Sequence, residues 1–260
     1  NSAWEYINQI PPLDKGGQGG VTNSAGEYIN QIPPLDKGGQ GGVKTPEMQS
    51  EGNYVRRDAV TDWIRDEAVK KYGGRVDKED VFYYVYGFLH HPGYREKYAT
   101  DLKKSLPRIP LVEGREAFWG FVKAGRALAD LHVNYETVPP YPGLRVDGAD
   151  GRDYSVKKMG FAKGADGKPD KTTIRYNDGI TVSGIPLKAY EYVVNGKPAI
   201  EWVMERYQIK THKESGIVND PNLWCAETGR PRYILDLLMS VVNVSMQTLE
   251  IVAGLPNWEG

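Results

Sequence analysis

The sequence predicts an α+β domain: a helical N-terminal part, a small antiparallel β-sheet in the middle and a long C-terminal helix, preceded by repeats expected to be disordered. Three observations predict it. Apolar residues recur at helical spacing between residues 58 and 132, and again after residue 231. Between residues 154 and 185 the period shortens to two and tight-turn residues appear. Helices, then a strand meander, then helices again imply segregated layers.

Residues 1–21 (NSAWEYINQIPPLDKGGQGGV) recur as 23–43, with Trp4 replaced by Gly26. Structural repeats keep a buried pattern and let surface positions drift. Here the polar positions are copied too, which points to a recent duplication. Each copy carries a Pro-Pro and a Gly-Gly-Gln-Gly-Gly and few residues able to bury area, the composition of a linker. Residues 1–50 are therefore read as a low-complexity segment without a specific function. Residues 51–258 are read as the folded domain, with a helical part at 54–135 and a mixed β/α part at 150–258.

Asp58 can cap a first helix carrying Val60, Trp63, Ile64 and Val69, stopped by Gly73 and Gly74. A second spans Lys78 to His91, its run Phe82-Tyr83-Tyr84-Val85-Tyr86 too apolar for an open surface, and Pro92 breaks it. A third runs from Tyr94 to Ser105 on Tyr94, Tyr98 and Leu102. A fourth, Glu113 to His132, turns Phe118, Phe121, Val122, Leu128 and Leu131 inward.

Tyr154 to Ala162 and Thr172 to Tyr176 then read as strands, and Asn177-Asp178-Gly179 as a tight turn into a third strand beginning at Ile180. Pro198 opens a helix with Ile200, Val203, Met204 and Tyr207 as its stripe. The closing helix runs from Pro231 to Ala253. Its apolar stretch is interrupted by Asp236, Ser240, Asn243, Ser245, Gln247 and Glu250, so no membrane span or membrane partner is expected.

With 40% hydrophobic and 26% charged residues the composition is that of an ordinary globular protein. A net charge of −1 argues against a nonspecific, histone-like coat for nucleic acid but leaves room for a local basic surface. No secretory leader pattern opens the sequence, and its single cysteine, Cys225, excludes an intrachain disulfide; both fit a cytoplasmic location.

Several motifs tempt and fail. Val138-Pro139-Pro140-Tyr141 resembles the Asn-Pro-Pro-Tyr tetrad with which adenine methyltransferases hold a flipped base. Valine cannot accept the amine hydrogen bond and Asn134 lies four positions too early, so a proline-rich connector is expected. The loop from Gly16 to Gly20 lacks the flanking strand and helix of a cofactor loop. His90, His91, His132 and His212 lack metal-ligand spacing, and Cys225 lacks a base beside it in sequence. Asp101-Leu102-Lys103 matches half of a nuclease motif but falls on an expected helix, and the later Pro169-Asp170 on an expected hairpin tip. No catalytic, metal or cofactor site is read from these residues.

A binding surface is the better prospect. From Arg152 to Tyr176 there are seven basic residues (Arg152, Lys157, Lys158, Lys163, Lys168, Lys171, Arg175) against Asp153, Asp166 and Asp170. Lysines at a hairpin tip reach phosphates, while Arg175, Asn177 and Asp178 at a turn can reach base edges. Lys210 and Lys213 form a second cluster, and Arg230 and Arg232 open the last helix. The same charges would also serve as solvated guards of a sheet edge.

A set of strings in fixed order goes further. They are the run from Tyr84 to Pro110, the run from Phe118 to Glu136, Lys158-Met159-Gly160-Phe161, the run from Tyr176 to Pro186, the run from Ala199 to Tyr207, and Gly216 to Asn222. Together, over about residues 54–258, they resemble the C-terminal specificity, or target recognition, domain of type ISP restriction–modification enzymes. The resemblance implies a sequence-specific double-stranded DNA reader that positions DNA for adenine-N6 methylation and cleavage by other domains of a single-chain enzyme. S-adenosylmethionine, ATP and Mg would then belong to those other domains and not to this chain. It further implies either a methyltransferase/helicase polypeptide supplied in trans or a decayed remnant. A catalytic adenine methyltransferase fragment using Tyr141, and a protein-interaction remnant, are the alternatives.

Overall fold

The computed structural model describes residues 58–149 and 153–260, and from Val60 onward these belong to one compact unit. The expectations for the N-terminal repeats, and Arg152, lie outside the described residues.

Four helices build the first half: α1 (Asp62–Tyr72), α2 (Lys78–Leu89), α3 (Pro92–Lys97) and α4 (Arg115–Val133). Thr61, not Asp58, caps α1, and Val60 falls outside the helix. Gly73 ends α1 at a φ of 102°, a conformation that side-chain-bearing residues avoid. Asp77 and Asp80 form a reciprocal capping box at the start of α2. Asp80 also accepts Arg126 Nη2 at 2.9 Å, which ties α2 to α4. Pro92 sits in the first turn of α3, where its missing N–H costs nothing. That helix is shorter than expected: after Lys97 the chain continues in turns to Ser105, although Tyr98 and Leu102 still pack against the core. Asp101–Lys103 therefore lie in a turn.

The first core gathers Tyr72, Tyr84, Phe88, Tyr94, Phe118 and Phe121. Three of its tyrosines explain the Pro-Arg-Ile-Pro segment that follows Leu106. Tyr94, Tyr84 and Tyr72 donate their hydroxyls to the carbonyls of Arg108 (2.9 Å), Pro110 (2.5 Å) and Val112 (2.6 Å). Every second carbonyl of an extended chain is thus satisfied from one side. Tyr86 and Tyr94 are buried within the chain, whereas Phe82 and Trp63 are exposed.

The second half holds a four-stranded antiparallel sheet in the order β1-β4-β3-β2: β1 (Arg145–Asp147), β2 (Gly160–Lys163), β3 (Pro169–Arg175) and β4 (Thr181–Ser183). Tyr154 to Met159 is not strand but an irregular strap leading into β2. Pro169 and Asp170 lie on β3, not at the hairpin tip. The edge strand β1 was not foreseen. A 3-10 turn (Leu187–Glu191) and a two-residue ladder of β5 (Val193–Val194) with β6 (Lys197–Pro198) lead to α5 (Ala199–Arg206). A small hairpin of β7 (Lys210–Thr211) and β8 (Val218–Asn219) precedes α6 (Pro221–Glu227) and the closing α7 (Tyr233–Ala253).

By length and composition α7 could cross a bilayer, but 61% of its apolar window is buried in the chain's own interior. Ile234, Leu235, Leu238 and Val242 join Ile174, Tyr176, Ile180 and Val182 of the sheet region and Ile200 of α5 in a second core. Past its end, Leu255 and Trp258 return to the first core, so this tail links the two.

Candidate nucleic-acid interface

Register decides which sheet residues face outward. Val146 pairs with Val182, Val182 with Ile174, and Ile174 with Phe161, and these side chains face the second core. Paired residues share a face and neighbours along a strand alternate. The opposite face therefore carries Asp147, Thr181, Arg175 and Gly160 in one cross-strand row, and Arg145, Ser183 and Thr173 in the next. This is a platform of small residues flanked by two arginines. Arg145 and Arg175 are exposed and make no ion pair with any described residue.

The strap from Asp153 to Gly160 gathers most of the remaining basic groups. Arg232 reaches Tyr154 with its guanidinium over the ring at 5.2 Å. Asn222 brackets Val156, donating to its carbonyl at 3.0 Å and accepting from its N–H at 2.8 Å. Ile209, at the root of the β7–β8 hairpin, donates its N–H to the Lys157 carbonyl at 3.0 Å. Gly160 then pairs with Arg175. Lys157, Lys158, Arg175, Lys210 and Arg232 are thus brought around one strap from segments far apart in sequence, while Lys213 stands at the tip of the β7–β8 hairpin. Lys163 and Lys168 lie at the other end of the β2–β3 hairpin, about 10 Å along β2.

Two foreseen contacts have other roles. Asn177 spends its amide on the fold: Nδ2 donates to the Asp153 and Ser155 carbonyls, and Oδ1 accepts from Gly179 and Ile180 N–H at 2.9 and 2.8 Å. No edge of it is left for a base. Lys171 is paired with Glu201 at 2.8 Å and lies over the Phe161 and Tyr190 rings, bracing β3 against α5. A phosphate would have to displace Glu201. Arg232 is also held by Asp236 at 3.3 Å, and Arg230 lies over Tyr233 at 4.7 Å, so both are oriented and only partly available.

Sequence reasoning missed Arg145. The signal was present, since Leu144-Arg145-Val146-Asp147 alternates between Gly143 and Gly148, but four residues are a short run for a strand. The Val138–Tyr141 segment is a connector pinned to α7. Asn243 donates to the Pro139 carbonyl at 2.8 Å, and the Tyr141 ring packs on the second core, not in an open base pocket.

Two histidines sit in a buried polar cluster of the helical half. His132 Nδ1 meets the Tyr86 hydroxyl at 2.7 Å and its Nε2 meets Thr248 Oγ1 of α7 at 2.9 Å. His90 Nδ1 lies 2.8 Å from the Tyr86 carbonyl. Burial pushes His90 down to about 4 and His132 to about 3, so both are neutral packing groups at neutral pH.

The family described as the type ISP C-terminal specificity domain matches residues 25–237. The match begins inside the second repeat copy, earlier than the quoted strings suggest. A nuclease-deletion mutant of the type ISP restriction–modification enzyme LlaGI, solved with a DNA substrate mimic, is 50% identical with a TM-score of 0.63, over 71% of this chain and 17% of that one. The ATP-dependent type ISP enzyme LlaBIII bound to DNA is 47% identical with a TM-score of 0.65, over 75% of this chain and 12% of that one. A DrdV–DNA complex is 32% identical with a TM-score of 0.63, over 75% and 20%. The chain thus spans at most a fifth of the length of these enzymes. No curated protein matches it.

Proposed function

Because the chain belongs to the family of type ISP C-terminal specificity domains, we propose that it reads a short sequence of double-stranded DNA. In this reading it presents that DNA to catalytic machinery elsewhere in a restriction–modification enzyme. The observation that carries the reading is the convergence of basic groups with no salt bridge to any described residue, Lys157, Lys158 and Arg175, on and beside the strap next to a platform of small residues. The three similar enzymes were all solved with DNA or a DNA mimic. Lys163 and Lys168 at the hairpin tip supply phosphate contacts, which fix register and carry no sequence information. Arg175 and Arg145 face outward from a flat surface and are the base readers, suited to guanine O6 and N7. Adenine methylation, ATP use and their cofactors S-adenosylmethionine, ATP and Mg belong in this reading to other domains, in the same polypeptide or in trans.

Salt-titrated binding of the chain to a random duplex library tests it. Affinity should fall steeply with salt, and a short motif should be enriched. Binding indifferent to both salt and sequence would end the proposal.

A further inference from the structure

The β7–β8 hairpin stands exposed along its whole length, from Ile209 to Asn219. Two apolar side chains face solvent, Ile217 just before its second strand at 67% exposure and Val218 on that strand at 57%. An isolated two-stranded hairpin is marginal in water, because the ladder alone scarcely outweighs the entropy of ordering it. Here it is held by its ladder, by Ile209 bonded to the strap, and by a tip in which His212 receives Gly216 N–H at 2.8 Å and bonds Ser215 Oγ at 3.1 Å.

Register again sorts the faces. Lys210 pairs with Asn219, and His212 N–H bonds the Ile217 carbonyl at 2.8 Å, so Lys210, Asn219, His212 and Ile217 share one face. Two strands about 4.8 Å apart, with side chains, match a major groove about 12 Å wide. The basic groups at its root fit a nucleic-acid occupant. Lys157 and Lys158 stand there, Lys213 stands at the tip beside Glu214, and Lys210 lies 3.9 Å from Glu205, a carboxylate held more closely by Lys197. The root of the ribbon is also bonded to the strap, whose last residue, Gly160, pairs with Arg175.

Resting on the DNA-reading proposal, we propose that this hairpin is a major-groove ribbon that sets part of the specificity. Asn219 reads an adenine edge through N6 and N7, Lys210 reads a neighbouring guanine, and Ile217 lies against a thymine methyl. The groups match the donor and acceptor patterns of those bases.

The test selects duplexes from a random library with the wild-type chain, with Lys210→Ala/Asn219→Ala and with Ile217→Ala, each first checked for an unchanged melting temperature. The expected result is a wild-type motif in which the double variant loses preference at one or two adjacent positions, by about fivefold or more each. Ile217→Ala should weaken a thymine beside them, and preferences elsewhere should stay. An unchanged motif in both variants overturns the ribbon and leaves the DNA-reading proposal standing, with the hairpin then free for a protein partner. Failure of the wild-type chain to select any motif overturns both. If the double variant fails to fold, Ile217→Ala alone decides, since it removes no cap and no ladder bond.

Discussion

Gly125→Ala tests the packing on which the helical half depends. Helices α2 and α4 cross with their backbones in contact at Gly87 and Gly125. A Cβ on Gly125 would lie 1.9 Å from the Tyr83 carbonyl oxygen and 2.8 Å from its carbon. Ordinary contact begins near 3.4 Å, so the helices must part by about 1.5 Å. Rotation offers no escape, because Gly87 also crowds the Phe121 carbonyl, its added Cβ falling 2.3 Å away. A shift of that size pulls apart the ring contacts of Tyr84 with Phe118 and Phe121 and of Phe88 with Phe121, now at 4.9, 6.0 and 5.1 Å. Three aromatic pairs at about 0.5–1.5 kcal/mol each amount to about 3 kcal/mol, before lost dispersion elsewhere. Alanine returns about 1 kcal/mol of helix propensity. The net loss is therefore about 2 kcal/mol or more, and the contact term wins over propensity. Urea denaturation followed by circular dichroism measures it, with Gly74→Ala as the control, since a Cβ there meets nothing within 4 Å. A Gly125→Ala chain as stable as wild type, or more stable, would refute the close crossing.

Three other outcomes follow from the same contacts. His90 has a folded pKa of about 4, below its unfolded value of about 6.5, so the unfolded chain binds more protons between those limits. Stability is complete above pH 6.5 and falls by roughly 3 kcal/mol from this group as pH drops toward 4, with His132 shifted in the same direction; a flat urea midpoint between pH 7.5 and 4.5 would contradict it. Tyr84→Phe removes the hydroxyl that donates to Pro110 and accepts from Val112 N–H, and should cost about 1–3 kcal/mol in the same urea assay; no change would show that these bonds contribute nothing net. Lys163→Ala/Lys168→Ala should lower the slope of log affinity against log salt by about 2 while leaving the enriched motif intact; an altered motif with an unchanged slope would make them base readers.

How much could be read ahead of the structure depends on the range of the interaction. Helices α2, α4, α5 and α7 were legible to within a few residues because amphipathic period, caps and prolines act over one or two turns. The first helix was placed correctly and capped wrongly, since Asp58 and Thr61 are both competent caps and only the fold's entry path distinguishes them. The third was drawn too long because Tyr98 and Leu102 are apolar at helical spacing yet pack from turns. Strand β1 escaped because a short edge strand is defined by its partner, Thr181–Ser183, more than 30 positions away.

The sequence alone determined the class of fold, the length and burial of the closing helix, the basic bias around the middle sheet and, through strings in fixed order, the family. Tertiary structure alone decided which partners each charge meets. It turned Arg145 and Arg175 to the same face, took Asn177 into a turn, paired Lys171 with Glu201, and set Lys157 beside a hairpin fifty residues away. The physical reason is that composition fixes how much charge a segment carries. Whether that charge is free to meet a phosphate depends on neighbours that arrive only when distant segments pack.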